Sequence, residues 1–421
     1  MKKKVLNWAQ QFDTFCFLDN HQYQIEPHSM ECLLAAGVKN KINGNAGNGL
    51  RELQQFIDKN RNCLFGHLGY DLKNETRKIV SERFDRLHFP DYFFFEPEII
   101  IRITNDSIKI ESEKNNREIL QDILTLNFTS ELENNSDLLQ IENRISKQEY
   151  LGIIEKLKYH IHRGDCYEIN FCQEFFAEEA IIDPLEVYQK LSSLSPNPFS
   201  AFYKLEDKFL ICASPERFLK KEGGKILSQP IKGTSSRFLQ DKINDEKSRQ
   251  DLYASEKDRS ENVMVVDLVR NDLSRICKEG TVKLEELYGI YSFPQVHQMI
   301  STVSGELKEN VSFTEIIRAT FPMGSMTGAP KKRVMELIDQ YEETKRGIFS
   351  GALGYIDPGG DLPAGQAGFD FNVIIRSILY NASDKYLSFL VGSGITFLSD
   401  AEKEYEECLL KAKAILSVLK N

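Results

Sequence analysis

A single lysine in the middle of the chain, Lys232, is the first candidate for chemistry. It stands where a predicted strand, residues 225–231, gives way to Gly233 and Thr234. A lysine held among apolar neighbours loses hydration, so its neutral, nucleophilic form becomes accessible. The alternative is a solvated surface lysine, because charged side chains are mostly exposed. We therefore take Lys232 as a candidate nucleophile in a cleft.

Several carboxylates could support such chemistry. Glu216 is predicted to lie just past a strand end, and Glu261 shares a predicted helix face with an apolar stripe. Near the C-terminus, Glu404, Glu407 and Lys411 share one helix face at i, i+3 and i+7. Taken singly, these residues favour the simpler interpretation of a surface carboxylate or a solvated charge ladder.

Other residues are suited to binding an anion. Ser325 lies in the small-residue loop 321–332, which precedes a predicted helix, and a helix N-terminus favours a substrate carboxylate. Arg376 lies in apolar company on a predicted strand, and Gly392 and Gly394 interrupt another strand where backbone N–H groups could bind an anion. The alternatives are a simple connecting loop for Ser325, an arginine at the edge of the core that extends its charge to solvent for Arg376, and a β-bulge for Gly392 and Gly394.

The elements that must position these residues alternate between helices and strands. Ser146 and Glu149 form a predicted capping box for a helix that Gly164 ends, and residues 244–273 predict one or two helices. Ser399, with Glu402, is predicted to begin the last helix. The predicted strands are residues 64–72, 98–110 with a turn at 104–107, 167–176, 199–212, 225–231, 351–356, 369–380 and 389–397.

Composition narrows the class of protein. The chain has 421 residues, 41% hydrophobic and 28% charged, and a formal net charge of −10, so we expect a globular protein without a nucleic-acid footprint. No apolar run approaches membrane-spanning length. The eight cysteines form no CxxC pair, which favours reduced thiols and a cytoplasmic location. No cysteine has a Gly-x-Cys-x-Gly setting, so the chain offers no glutaminase nucleophile of its own.

Two segments are predicted. Residues 1–140 form an N-terminal lobe with no motif that indicates catalysis, since the glycine cluster at Gly44, Gly47 and Gly49 reads as a surface loop. Residues 129–143 are acidic and Asn-rich, which suggests a boundary. Residues 145–421 then form the domain that carries the candidate residues.

The motifs of this second segment together resemble the chorismate-utilising enzymes. They are SPERF, PIKGT, DRSENVMVVDLVRNDL, GSMTGAPK, GALGY, FNVIIR, GSGI and EKEYEECLLKA, in the family's order between residues 214 and 412. In the N-terminal lobe, FGHLGYDL at 65–72 is the most family-like stretch. The resemblance implies an α/β fold, a sandwich of antiparallel sheets flanked by helices, as in anthranilate synthase component I.

The resemblance also implies a reaction. Aminodeoxychorismate synthases typically carry lysine in PIKGT, where anthranilate, isochorismate and salicylate synthases generally carry alanine. Lys232 would add at carbon 2 of chorismate while Glu216 protonates the departing 4-hydroxyl, and ammonia would then replace the lysine. The ammonia would come from a separate glutaminase subunit. Glu261, Glu404 and Glu407 match the family's magnesium ligands, and the positions that resemble substrate contacts are Thr234, Ser325, Tyr355, Arg376, Gly392, Gly394 and Lys411.

Three positions depart from the family's pattern. Gln298 stands where many relatives have histidine, with His297 pointing to the other face of a strand. Glu168 stands where isochorismate and salicylate synthases have a lysine, and residues 362–368 read as an inserted surface loop. Two alternative functions are considered. One is the large subunit of an anthranilate synthase, and the other is a non-catalytic chorismate-binding subunit. Whether tryptophan binds the N-terminal lobe stays open.

Overall fold

The computed structural model describes residues 1–23, 32–79, 81, 83–104, 106–126, 139–360 and 367–419. Its strands, within these residues, are β1 Thr14–Asp19, β2 Cys32–Ala36, β3 Asn40–Gly44, β4 Leu64–Leu68, β5 Tyr92–Glu96, β6 Ile99–Ile103, β7 Ile108–Ser112, β8 Glu142–Asn143, β9 Glu168–Ala177, β10 Phe199–Leu205, β11 Lys208–Ser214, β12 Arg217–Glu222, β13 Lys225–Gln229, β14 Ile231–Ser236, β15 Lys283–Ser292, β16 Val296–Glu306, β17 Gly328–Ala329, β18 Ala352–Asp357, β19 Gly368–Val373, β20 Ser377–Asn381 and β21 Tyr386–Thr396.

The α-helices of the same residues are α1 Lys2–Ala9, α2 Gly49–Lys59, α3 Lys73–Arg77, α4 Asn116–Thr125, α5 Lys147–His162, α6 Pro184–Leu194, α7 Lys242–Ala254, α8 Glu256–Ser274, α9 Phe313–Thr320, α10 Lys331–Tyr341 and α11 Ala401–Leu419. Single 3₁₀ turns occur at Tyr70–Leu72 and Gly324–Met326. No helix of the described residues combines the length and the apolar character needed to cross a bilayer.

The strands form two antiparallel sheets. The first has the order β17-β9-β21-β20-β11-β10-β1-β2-β6-β7, with β8 beside β9. The second has the order β14-β16-β13-β12-β19-β18-β4-β5-β3, with β15 beside β16. Strands from both predicted segments therefore share both sheets. The proposed boundary at 129–143 lies partly outside the described residues, and it stays a prediction.

The two sheets pack face to face, and a hydrophobic cluster lies between them. Alternate residues of a strand belong to different hydrophobic clusters: Ala201 and Tyr203 of β10 join the cluster between the sheets, whereas Phe202 joins the cluster under helices α1, α6 and α11. This two-residue alternation is what a strand covered on both faces requires. The predicted α/β sandwich of antiparallel sheets with flanking helices is confirmed.

Two of the connections that pass between the sheets are neighbours in space. Glu216 lies between β11 of the first sheet and β12 of the second, and residues 374–376 connect β19 of the second sheet to β20 of the first. The crossovers are hydrogen-bonded to each other, because Ala213 N donates to Arg376 O at 3.1 Å and Val373 N donates to Glu216 O at 3.0 Å. The prediction of one strand over 369–380 is therefore wrong, since that stretch changes sheets at Arg376.

Other predicted elements need smaller corrections. Residues 199–212 form the hairpin β10–β11 because the chain turns at Glu206, whose φ is 57°. The predicted interruption at Gly392–Gly394 is absent, since β21 pairs with β9 throughout. The last helix begins at Ala401, and Asp400 accepts a hydrogen bond from Lys403 N while Ser399 accepts one from Thr396 N.

The capping box of α5 is confirmed, with both hydrogen bonds between Ser146 and Glu149 present. Residues 244–273 form two helices, α7 and α8, separated at Ser255, whose side chain caps α8. The predicted inserted loop at 362–368 lies mostly outside the described residues.

Candidate active site

Lys232 connects the two sheets. It lies within β14 rather than beyond a strand end, at a register irregularity opposite β16, and Gly233 beside it has a φ of 90°. Lys232 Nζ donates to Glu168 Oε1 at 2.5 Å, and Glu168 begins β9 in the other sheet. The lysine side chain is 11% exposed and the glutamate side chain 2%. This ion pair therefore spans the cleft where the two sheets meet.

The expectation of apolar neighbours around Lys232 is wrong. Burial lowers the pKa of the lysine, but Glu168, Glu261 and Glu216 together outweigh burial, and its pKa is raised above the ordinary value. Negative charge stabilises an ammonium group. Lys232 is consequently held in its charged form in the protein alone, and a nucleophilic role requires that it first give up a proton.

Gly394 allows the backbone of β21 to approach this ion pair. A Cβ at position 394 would lie 2.7 Å from Lys232 Nζ, 2.9 Å from Glu168 Oε1 and 3.6 Å from Glu261 Oε2. The first two distances are shorter than real Cβ contacts, so a side chain here would displace the lysine tip. The predicted site residues Lys232, Glu261 and Gly394 are thus brought together.

Glu216 and Ser325 line a common cavity. Glu216 is buried at its crossover, and burial raises its pKa to about 7. Ser325, in the 3₁₀ turn before β17, is also buried, and its hydroxyl has no hydrogen-bond partner within the described residues. A buried hydroxyl without a partner is uncommon in proteins. A carboxyl group whose pKa lies near neutrality, beside a hydroxyl, suits the protonation of an oxygen on a bound ligand.

Arg376 has an unusual backbone. Its φ of 51° places it in the left-handed region, which residues other than glycine rarely adopt. Burial lowers the pKa of its guanidinium to about 10, against the attraction of Glu216. The amide oxygen of Gln298, assigned from the donors around it, accepts from Arg376 Nη2 at 2.7 Å and Nη1 at 3.2 Å. The preceding residue, His297, lies on the other face of the strand, as predicted, and contacts Ser292 and Asp245.

Glu261, Glu404 and Glu407 converge on one ammonium group. Lys257 Nζ lies 3.4 Å from Glu404 Oε1, 3.9 Å from Glu261 Oε1 and 4.0 Å from Glu407 Oε2. Burial raises the pKa of Glu261 to about 7. Glu261 Oε1 and Glu404 Oε2 are buried without a hydrogen-bond partner among the described residues.

This donor set fits a divalent cation such as magnesium. Carboxylate oxygens are the ligands that magnesium prefers, and two of these oxygens lack a hydrogen-bond partner among the described residues. As they stand, no three His, Cys, Asp or Glu side chains in the described part of the chain are arranged to hold an ion, and Lys257 supplies the positive charge instead. Glu261, Glu404 and Glu407 are the residues that would hold a metal.

Lys411 joins this cluster to β21. Its Nζ donates to Gly392 O at 3.0 Å and lies 2.8 Å from Glu407 Oε1. Burial raises the pKa of Glu407, but Lys411 and Lys257 outweigh burial and its pKa is lowered. A Cβ at Gly392 would lie 2.4 Å from Cys172 Sγ, so this glycine serves packing between β21 and β9.

Thr234 and Tyr355, two of the predicted substrate contacts, have surroundings that differ from those of the other predicted residues. Thr234 is exposed on β14, opposite Gln298. Tyr355 packs its ring on Phe65, at a centroid distance of 5.9 Å, and Asp370 and Arg217 are charged groups near it. In the second sheet, β18 is separated from β14 by four strands. The contacts described for Tyr355 do not link it to Lys232.

Sequence reasoning missed several residues that hold the cleft. Arg346 is fully buried, pairs with Glu342 at 2.6 Å, and donates to Met326 O at 2.7 Å and Asn170 O at 2.8 Å. This network fixes β9 against the loop that carries Ser325. Lys257 was missed as well, although its i, i+4 spacing to Glu261 is visible in the sequence.

Comparison with known proteins identifies the family. The family described as chorismate binding enzyme matches residues 10–417 of the chain. The chain belongs to the chorismate-binding enzymes. The match includes both sheets, so the family covers the N-terminal lobe as well as the cleft.

Individual relatives of this chorismate-binding enzyme carry two different names. Aminodeoxychorismate synthase component 1 of Salmonella typhimurium is 38% identical over 280 residues, which are 66% of this chain and 59% of the relative. The anthranilate synthase component I-like protein of Synechocystis is 32% identical over 358 residues, 84% of this chain and 72% of that protein. The chain thus spans about three-fifths of the length of the Salmonella relative.

A solved structure shares the fold. Anthranilate synthase component I from Streptococcus pneumoniae superposes with a TM-score of 0.78 at 26% identity, and the match covers 94% of each chain. The fold expected from the resemblance, that of anthranilate synthase component I, is therefore confirmed.

Proposed function

We propose that this protein replaces the 4-hydroxyl of chorismate with ammonia to give 4-amino-4-deoxychorismate. The observation that carries the proposal is the position of Lys232, whose amino group reaches across the cleft to Glu168. Glu216, whose pKa is raised to about 7, acts electrostatically on both Lys232 and the guanidinium of Arg376. A nucleophile, an acid and a cation in one cleft are the groups that this displacement needs.

The first step forms a bond between Lys232 Nζ and carbon 2. Glu168, 2.5 Å away, accepts the proton that the ammonium loses before it attacks. The ring double bonds shift from C1–C2 and C5–C6 to C1–C6 and C4–C5, and the 4-hydroxyl leaves as water with the proton of Glu216. Dividing one difficult displacement into two is what covalent catalysis contributes.

The second step reverses this shift. Ammonia adds at carbon 4, the double bonds return, and the C2–N bond to Lys232 breaks with release of the neutral amine. Overall, ammonia and one proton are consumed, water is released, and the product carries its new amino group as an ammonium. Glu168 returns its proton to Lys232, and Glu216 must regain a proton before the next cycle. Because the chain has no Gly-x-Cys-x-Gly motif, the proposal includes a separate glutaminase subunit as the source of ammonia.

Charge in the cleft holds the substrate's two carboxylates. Arg376 and Lys411 are the cations assigned to them, with the Ser325 hydroxyl as a hydrogen-bond donor. Glu261, Glu404 and Glu407 would hold magnesium, which when bound neutralises and orients the ring carboxylate. A cytoplasmic location belongs to the same proposal.

An anthranilate synthase large subunit is the competing candidate. Its favouring observation is that the Synechocystis relative, named as anthranilate synthase component I-like, aligns over 84% of this chain. That reaction also aminates chorismate but eliminates pyruvate. The products therefore separate the two functions.

The test is product identification with purified protein, chorismate, magnesium and ammonium. We expect aminodeoxychorismate without pyruvate, and a loss of at least about 100-fold in Lys232→Ala. Lys225→Ala, an exposed lysine on the adjacent β13, is the matched control and should keep full activity. Anthranilate with pyruvate would establish the competing function instead. Chorismate binding without turnover, even with a glutaminase partner added, would establish a non-catalytic subunit.

A further inference from the structure

We infer that Gln298 is a positioning residue that fixes the guanidinium of Arg376 for a carboxylate of the substrate. The inference rests on the proposed role of Arg376 as a chorismate-binding residue. It adds to that role a residue that determines whether Arg376 is correctly oriented, and it assigns a purpose to a glutamine that the reaction itself does not use.

The first argument is the geometry of the pair. One amide oxygen of Gln298 accepts from both terminal nitrogens of Arg376, at 2.7 and 3.2 Å. A guanidinium has further N–H donors in its fixed plane, so this contact sets the plane of the group while leaving donors for an anion. Glu216 attracts Arg376 electrostatically but is not hydrogen-bonded to it among the described residues.

The second argument is that Gln298 lies within a sheet, whereas Arg376 lies on a connection between sheets. Gln298 is completely buried on β16, which is paired on both sides, with Thr234 of β14 and Tyr291 of β15 opposite it. Arg376, in contrast, lies on a three-residue connection between sheets with a left-handed backbone. A long side chain on such a connection loses its conformational freedom only where a rigid partner holds it.

The third argument concerns charge. Glutamine is neutral at all pH values at which the protein is folded, so it orients the guanidinium without neutralising it. A carboxylate at the same position would make a stronger, bidentate contact but would compete with the substrate's carboxylate. The neutral amide keeps the positive charge of Arg376 available to the ligand.

Binding of chorismate to non-turnover protein tests the inference directly. In a Lys232→Ala background with magnesium present, chorismate binding is measured calorimetrically for Gln298→Leu, Arg376→Met and the double variant. We expect each single change to weaken binding about tenfold and the double variant to lose little more. Gln298→Glu should weaken binding by a similar factor although it preserves the contact.

Controls separate orientation from folding. Ser304→Ala alters another buried side chain of β16, one that donates to Glu285, and should bind chorismate like the parent. In the Lys232-containing protein, Gln298→Leu should raise KM about tenfold and lower kcat less than about threefold, because the contact is made to the bound ground state. A general structural defect would lower kcat and the thermal midpoint together.

The outcomes are distinguishable. If Arg376→Met weakens binding and Gln298→Leu does not, the inference is overturned while the assignment of Arg376 stands. If the two losses are additive, Gln298 does not act through Arg376, which also overturns the inference. Tight binding by Gln298→Glu would contradict the argument from charge. Product identification tests the proposed reaction independently of all these measurements.

Discussion

Lys257 Nζ lies 3.4 Å from Glu404 Oε1, so a lysine contacts a carboxylate that the proposed function assigns to magnesium. The same ammonium is within 4.0 Å of Glu261 and Glu407. Its pKa is raised because the three carboxylates together outweigh burial, which acts in the opposite direction. The lysine therefore neutralises part of a cluster that would otherwise be strongly repulsive in the protein alone.

Removing this ammonium should strengthen metal binding. We predict that Lys257→Met binds magnesium about three- to tenfold more tightly, because the metal no longer displaces a cation from the glutamates. Calorimetric titration with magnesium, supported by the shift of the thermal midpoint with magnesium concentration, measures the effect. Lys413→Met, at an exposed position of α11, is the control. An unchanged magnesium affinity in Lys257→Met would refute the competition.

The burial of Glu216 predicts a pH dependence of activity. Burial raises the pKa of this carboxyl to about 7, so its acid form becomes scarce above that pH. Formation of the proposed intermediate at saturating magnesium should therefore slow as pH rises through about 7. Glu216→Gln should lower the rate about 100-fold or more and remove this limb of the profile. A wild-type rate that rises steadily from pH 6 to 8 would contradict the acid role.

The same shift predicts a pH-dependent change in stability. The folded pKa lies above the unfolded value of 4.5, so Glu216 increasingly destabilises the fold as pH rises from about 4.5 to 7, and the penalty persists above that range. Glu216→Gln should thus raise the thermal midpoint at pH 8 relative to wild type, and change it less at pH 5. An equal difference at both pH values would show that ionisation is not the cause.

Gly394 should be required for the geometry of Lys232 rather than for folding. An alanine Cβ would lie 2.7 Å from Lys232 Nζ, a flexible tip that can shift, so Gly394→Ala should fold and lose most activity. Gly392→Ala is the contrasting variant, because its Cβ would lie 2.6 Å from the backbone oxygen of Phe171 and should destabilise the protein. Thermal unfolding and turnover of both variants check the distinction. Full activity in Gly394→Ala would contradict it.

The buried ion pair between Arg217 and Asp370 should contribute strongly to the free energy of unfolding. Arg217 Nε and Nη2 donate to Asp370 at 3.0 and 3.1 Å, and the arginine side chain is fully buried. Asp370→Asn removes the carboxylate that faces this charge, while Gln229 still accepts from Arg217 Nη1, and should cost about 3–5 kcal/mol of the free energy of unfolding. Lys385→Gln, which breaks a pair with Glu179 at the surface, should cost less than about 1 kcal/mol. Urea titration compares the two.

The sequence motifs group residues that the structure brings close together, but they indicate little of the electrostatics around Lys232. Glu216, Glu261, Arg376 and Gly394 were identified from motifs, and the structure places them around Lys232 or beside one another. The contact between Lys232 and Glu168 was not predictable from spacing, because the two residues are 64 positions apart and lie in different sheets. As a result, the lysine's charged surroundings were mistaken for apolar ones.

The crossovers were missed for a related reason. Residues 369–380 keep an apolar, strand-like composition throughout, and such a pattern does not record that the chain leaves one sheet for another. Only the left-handed backbone of Arg376 marks the change, and arginine gives no sequence signal for that conformation. Helix α5, by contrast, was predicted correctly because its capping box is a local signal.

The most direct test of the central claim is to trap the bond between Lys232 and the substrate. Protein is mixed with chorismate and magnesium without ammonium, quenched rapidly, and examined by intact-protein and peptide mass spectrometry. We predict a mass increase equal to the mass of chorismate minus one water, located on the peptide that contains Lys232. The increase should be absent from Lys232→Ala, and it should disappear when ammonium is added before the quench. Aminodeoxychorismate formation by Lys232→Ala at the wild-type rate, without any adduct in wild type, would contradict covalent catalysis by Lys232.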